Sequence, residues 1–364
     1  VTAANDPDPD RVAAVDRVTD ADTAGSSIAA GVARCGLAAV LFGVSAPAAA
    51  QLTDEMGAFT LAGLLYLGAA VAVAPLAARV RPTRDALRRS LPNLSLAVVL
   101  GGAVGPVLLA VGLHRVPAPT ASLLLNLELV FTTLVAGLVF REHLGRNVLV
   151  GTGLVVAGSA VLTWSPSHDV RWGALVIAGA CLCWAVDNSA TAAIDQLRPS
   201  HITVAKGAIA GGSNLAIGLA TTAAPAMGAT LLALAIGAVG YGLSITLWVA
   251  GARELGAARG QLVFAIAPFV GTVVAWTVFA DPLAWREMVA FGIAAGGVAF
   301  VLGSHHEHPH HHQPTEHTHE HEHDDHHGHV HQPVVVGRHT HHHQHQELVH
   351  HHPHVPDLHH RHDH

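Results

Sequence analysis

The sequence predicts an all-α integral membrane protein: ten transmembrane helices arranged as two inverted five-helix repeats between disordered termini. Three observations predict it. The 364 residues are 51% hydrophobic and only 12% charged, where soluble domains run near a quarter charged. Mean hydropathy is +0.40, although two polar ends, 1–27 and 304–364, pull it down. Finally, residues 93–164 align with 232–303 at a constant offset of 139 and no gap.

A helix needs about 20 apolar residues to cross about 30 Å of hydrocarbon. Ten runs meet that requirement: 29–49, 58–78, 93–113, 119–140, 146–164, 172–193, 201–222, 227–250, 258–280 and 285–303. They are apolar all round, whereas helices of a soluble bundle carry a charged outer face. Their connectors are short and rich in Pro, Arg and Asp. The first 27 residues hold Asp6, Asp8, Asp10, Asp16, Asp20 and Asp22 and lack the basic start of a secretory signal. They read as a disordered leader before an uncleaved first span. The expected units are therefore a leader (1–27), a first repeat (28–164), a second repeat (170–303) and a tail (304–364).

Arginine bias orients the spans. The even-numbered loops and their edges hold Arg79, Arg81, Arg84, Arg88, Arg89, Arg141, Arg146, Arg198, Arg253 and Arg259; the odd-numbered ones hold Arg115, Arg171 and Arg286. Ten against three places the even loops and both termini in the cytoplasm, in a cell (plasma) membrane. Val1 as first residue suggests a bacterial alternative start codon, and a single lysine among 18 arginines fits a GC-rich genome.

The repeat matches Gly101 with Gly240, Leu108 with Leu247, Gly112 with Gly251, Phe140 with Phe279 and Glu142 with Asp281. Each repeat holds five spans, and an odd number forces the halves into opposite orientations. Many secondary transporters are built this way, with the substrate site between the halves near the midplane.

Particular motifs add a family resemblance. Leu41-Phe42-Gly43-Val44-Ser45 resembles the first-span motif of the EamA family in the drug/metabolite transporter superfamily. The run Ala121 to Leu129, followed by Phe140-Arg141-Glu142-His143-Leu144, is similar to its fourth-span signature. Gly151-x-Gly153, Ala157-Gly158, Cys183-Trp184-Ala185 and Ala267-Pro268-Phe269 extend the likeness over about 29–303. Leu129 stands where a proline is usual, and Asp281-Pro282 replaces the second-half glutamate pattern. The resemblance implies the ten-helix fold and transport of amino acids, other metabolites or drugs, without naming a substrate.

Three formal charges lie deep in spans: Glu128, Asp187 and Lys206. A charge at the bilayer centre costs about 2.5–3.5 kcal/mol even on insertion scales, so each should be paired or used. Glu128, beside Asn126, can bind a cationic substrate group or carry a coupling proton; alternatively it is a hydrogen-bonded carboxyl that ties helices together. Asp187 and Lys206 sit at similar depths in spans six and seven, so an ion pair is expected, as a structural tie or as a gate or substrate contact. Asn188 and Asn214 extend that polar lining. Glu142 reads as an interfacial partner of Arg146, four residues on. His114, His143 and His201 read as interfacial residues, and Trp184, Trp248 and Trp276 as packing or interface anchors. Cys181 and Cys183, two apart on a helix, read as packing rather than a metal pair. Gly101-Gly102, Gly105-Pro106 and Pro268 are expected to interrupt spans three and nine, as backbone lining a cavity can.

The tail holds 27 of the 31 histidines. Its runs include His317, His319, His321 and His323; His326, His327, His329 and His331; and His341, His342 and His343. With few aliphatic residues it should be disordered. Neutral imidazole binds zinc, nickel, cobalt or copper, so metal buffering or sensing is expected, against a compositional expansion with incidental affinity. No cofactor is required, no nucleic-acid partner is expected, and no nucleotide loop or nucleophile triad points to an enzyme. The expected partners are the lipid bilayer, a small-molecule substrate and divalent metal ions at the tail. The leading reading is a proton-coupled transporter of a small organic solute. A divalent-metal permease and a membrane-anchored metal buffer are the alternatives.

Overall fold

The computed structural model describes residues 9–139, 146–164, 168–255 and 257–302, and in the tail 307–312, 316–321, 339–344 and 348–353. Among these residues the chain forms α1 (Pro9–Ala50), α2 (Ala58–Ala78) and α3 (Arg84–Leu113), then α4 in two pieces, α4a (Ala118–Leu124) and α4b (Leu127–Val139). After α5 (Arg146–Thr163), the second half repeats the order. It comprises α6 (His168–Ala192), α7 (Pro199–Thr221), α8 (Met227–Leu255), a divided α9 (α9a, Ala257–Phe264; α9b, Ala267–Thr277) and α10 (Trp285–Leu302). Eight spans among the described residues are long and apolar enough to cross a membrane. The helices α5 and α10, each of 18 residues, complete the ten.

The packing is symmetric between the halves. α1 lies against α8 and α9, and α6 correspondingly against α3 and α4; α2 packs on α7, and α5 on α10. The connections gather on two faces. His114 approaches the Met56 carbonyl, and Thr60 the Thr222 hydroxyl, which joins odd-numbered connections. His201 lies against the Ala77 and Val80 carbonyls, and Arg253 donates to those of Ile194 and Leu197, which joins even-numbered ones.

The backbone irregularities repeat too. Span three is not interrupted but widens to a π-helix over Ala97–Val104, and α8 does so over Gly237–Leu243, at the 139-residue spacing to within one residue. α4 breaks at Leu125–Asn126, where the sequence reading placed one continuous span, and α9 breaks at Ala265–Ile266, just before Pro268. Pro268 then occupies the first turn of α9b, where its missing N–H costs no hydrogen bond.

Two terminal segments take regular backbone among the described residues. α1 runs unbroken from Pro9 into the first span. Once a membrane helix is nucleated, each further residue adds a hydrogen bond without the nucleation cost, and no Gly or Pro lies between Asp10 and Ala24. In the tail, β1 (Glu307–His312) pairs antiparallel with β4 (Leu348–Pro353), and β2 (Glu316–His321) with β3 (His339–Gln344). Such ladders satisfy backbone groups between strands, a route open to a segment with few aliphatic residues.

The closest approach to the first π segment is at Gly101. A Cβ there would overlap the Asp187 carboxylate, whereas nothing lies within 4 Å of one built at Gly153. Gly101→Ala should therefore lower thermal stability in detergent by about 1–3 kcal/mol. Gly153→Ala should leave it unchanged or raise it slightly, as read by melting of purified protein.

Candidate functional site

The site begins at the break in α4. Leaving the helix at Leu125–Asn126 and re-entering at Leu127 makes Glu128 a first-turn residue of α4b, where the positive end of a helix dipole favours a carboxylate. Glu128 is buried. Its Oε1 accepts from Asn188 Nδ2 of α6 at 2.7 Å and from Gln261 Nε2 of α9a at 3.0 Å. Three helices from both halves thus converge on one carboxyl oxygen. Beside it lies a narrow cavity with room for about one water molecule. The cavity is lined by Glu128, Asn126, Gln261, Phe42, Phe264 and Pro268, among others. Asn126 donates Nδ2 to the Leu123 carbonyl at 3.0 Å, and its buried Oδ1 has no hydrogen-bond partner.

One residue before Asn188 on α6, Asp187 turns to a different partner. Lys206 Nζ donates to Asp187 Oδ2 at 2.5 Å, both side chains 4% exposed, and Thr191 Oγ1 donates to Oδ1 at 3.0 Å. Lys206 opens a π-helical turn of α7 (Lys206–Ala210). Asn214, one helical stretch further, donates to the Ala103 carbonyl of the first π segment at 3.1 Å. That segment also receives Tyr66 Oη at 2.6 Å and Trp184 Nε1 at 3.1 Å, both on the Gly101 carbonyl. A π turn spoils regular i→i−4 pairing, and side chains from α2, α6 and α7 meet the carbonyls it frees.

Aromatic rings close the centre. Phe42 of α1 meets Trp184 edge-on at 5.9 Å, Tyr241 of α8 at 5.6 Å and Phe264 of α9a at 5.4 Å. Offset and edge-on ring pairs of this kind are each worth about 0.5–1.5 kcal/mol beyond area burial.

The structure therefore gathers the six residues singled out in the sequence around α6, in two groups. Glu128 and Asn126 line the cavity with Asn188 bonded to Glu128, and Asp187, Lys206 and Asn214 surround the π segment of α3. Gln261, Tyr66 and Glu287 were missed. Gln261 carries no charge, and it looked like the start of an apolar span. Glu287 lies three residues into α10, where a carboxylate reads as an interfacial residue, yet it is 4% exposed. Cys181 is buried, its Sγ 3.7 Å from the Leu124 carbonyl, and all three cysteines are free. Glu142, His143, His323, His326, His327, His329 and His331 lie outside the described residues. Among the described residues no three His, Cys, Asp or Glu side chains group as a metal site.

Residues 30–164 and 171–303 each match the profile of the EamA-like transporter family. The chain is 25% identical over 218 residues to an uncharacterized transporter of Methanothermobacter thermautotrophicus, covering 57% of this chain and 63% of that one. It is 33% identical over 99 residues to a "Probable terminal-alkyne amino-acid exporter" of Streptantibioticus cattleyicolor, covering 27% of this chain and 32% of that one. The match thus spans less than two thirds of either relative. One crystal structure of a protein superposes with a TM-score of 0.56 at 19% identity, over 74% of this chain and 98% of that one; this likeness concerns the fold alone.

Removing one partner of a buried ion pair leaves an uncompensated charge, at a cost of about 3–5 kcal/mol. Asp187→Asn and Lys206→Met should each lower the melting temperature sharply, and the double variant should recover part of the loss. Simple addition of the two losses, measured by fluorescence-detected melting, would show that the pair is not energetically coupled.

Proposed function

The chain belongs to the EamA-like transporter family, and from that premise we propose that it is a secondary active transporter of a small organic solute, coupled to protons through Glu128. The observation that carries this reading is the convergence of Asn188 and Gln261 on Glu128 beside a cavity at two broken helices. A carboxyl whose neighbours are neutral amides can gain or lose a proton without breaking an ion pair. Broken helices at membrane depth supply backbone groups to a site between repeats. The six-residue set Glu128, Asn126, Asp187, Asn188, Lys206 and Asn214 is assigned to substrate and coupling. Within it, the Asp187–Lys206 pair holds α6 against α7.

The divalent-metal permease is the weaker alternative, because the two deep carboxylates are engaged by amide, hydroxyl and ammonium donors. We assign metal binding instead to the tail, with zinc, nickel, cobalt and copper as its ions and buffering or sensing as its role. Both termini lie in the cytoplasm in this reading, on the arginine-rich face, and the protein functions in the cell membrane of a prokaryote.

The test is counterflow in proteoliposomes, with labelled amino acids (terminal-alkyne ones included, after the name of one relative), other metabolites, zinc, nickel and cobalt as separate arms. An organic solute should exchange, and Glu128→Gln should abolish its pH-gradient-driven accumulation. Exchange of metal alone, or undiminished accumulation by the variant, would overturn the reading. A chain ended after Ser304 should keep solute exchange while losing most of its bound zinc, counted by elemental analysis.

A further inference from the structure

Glu287 is a buried carboxylate that the proposed coupling mechanism does not use. Its Oε1 accepts from Thr120 Oγ1 at 2.7 Å and its Oε2 from Trp276 Nε1 at 3.3 Å. The three residues stand on three different elements: Thr120 in the first turn of α4a, Trp276 in the last turn of α9b, and Glu287 in the first turn of α10. All lie next to odd-numbered connections.

The half-helices α4a and α9b are joined to the rest of their spans only through the breaks at Leu125–Asn126 and Ala265–Ile266. Both breaks border the cavity beside Glu128. The two pieces pack directly on one another, with a Cβ on Gly271 falling 2.9 Å from Ser122 Oγ. α9b is further bound to α10 by Phe269 and Trp276, whose rings lie 5.0 and 5.8 Å from that of Phe291. An opening of the cavity between these two half-helices, toward the odd-numbered connections, would part α4a from α9b. The Glu287 carboxylate on α10 bridges that seam, taking one hydrogen bond from each half-helix.

The opposite face is tied by different chemistry. There Arg34 of α1 pairs with Glu254 of α8, and Arg253 caps the carbonyl end of α6.

We propose that Glu287 is the latch of the odd-loop face, a positioning residue that holds α4a and α9b together through Thr120 and Trp276 while the cavity is closed on that side. The proposal rests on the transport reading, because a latch needs a pathway to close. In alternating access one face stays shut while the other opens, so the two ties would break in turn.

The test uses the full chain in proteoliposomes of known sidedness, with a reporter cysteine from Leu125→Cys at the α4 break. The rate of reaction with a membrane-impermeant thiol reagent is read from each face, against the parent chain for background from the native thiols. Losing a hydrogen bond to a carboxylate favours the parted state by about tenfold. Thr120→Val and Trp276→Phe should therefore each speed labelling from the odd-loop face about tenfold, and Glu287→Ala, which removes both bonds, by more, with no gain from the terminal face. Unchanged rates, or equal gains from both faces, would overturn the latch. If Glu287→Ala does not fold, the Thr120 and Trp276 variants decide alone, because each leaves the carboxylate one donor. Solute counterflow by the parent chain tests the transport reading separately.

Discussion

A charge placed in hydrocarbon has to be held by its neighbours, and α6 is where this protein meets that constraint. Two consecutive residues divide the task. Asp187 takes the ammonium of Lys206 and the hydroxyl of Thr191, and Asn188 reaches the Glu128 carboxyl of the other repeat. Neighbouring positions on a helix point about 100° apart, so one turn of α6 serves two polar groups without merging them. The ion pair locks α6 to α7 within the second repeat. The amide contact links the repeats, and amide contacts can be remade at small cost.

The same constraint governs the backbone. Where helices lose their regular pairing, carbonyls must find donors or line a cavity. The π segment of α3 follows the first course, with Tyr66, Trp184 and Asn214 donating to the carbonyls of Gly101 and Ala103. The breaks in α4 and α9 follow the second, bordering the cavity with Asn126, Glu128 and Pro268. The two kinds of irregularity thus differ: the first is bolted by side chains from three helices, and the second borders a cavity.

Most of the fold was legible because length and apolarity are one-dimensional properties. Ten runs of suitable length, the arginine asymmetry and the 139-residue offset needed no knowledge of packing. The deep charges were legible for the same reason, since Glu128, Asp187 and Lys206 stand out against an apolar background. Gln261 and Tyr66 did not, because a neutral polar residue near a span costs too little to mark itself. Glu287 was hidden by position, since an acid near a helix start is usually wet, and only the approach of Thr120 and Trp276 buries it. The π segments and the α4 break were hidden by composition. Gly101-Gly102 signals irregular backbone without saying whether a helix will widen or part, and that outcome depends on donors from helices far away in sequence.

The repeat is symmetric in backbone and asymmetric in chemistry. Gly240 of the second π segment presses on Ser45 of α1, as Gly101 of the first presses on Asp187 of α6. α2, the counterpart of α7, brings the neutral Tyr66, whose ring lies 5.3 Å from that of Tyr241, where α7 brings Lys206 to Asp187. One crossing is therefore held by charge and the other by hydroxyls and tilted rings. The charged crossing ties α6 to α7 within the second repeat, while Glu128 of the first repeat is held by neutral amides on a separate half-helix. The two halves thus share a backbone plan and differ in the groups that fasten it.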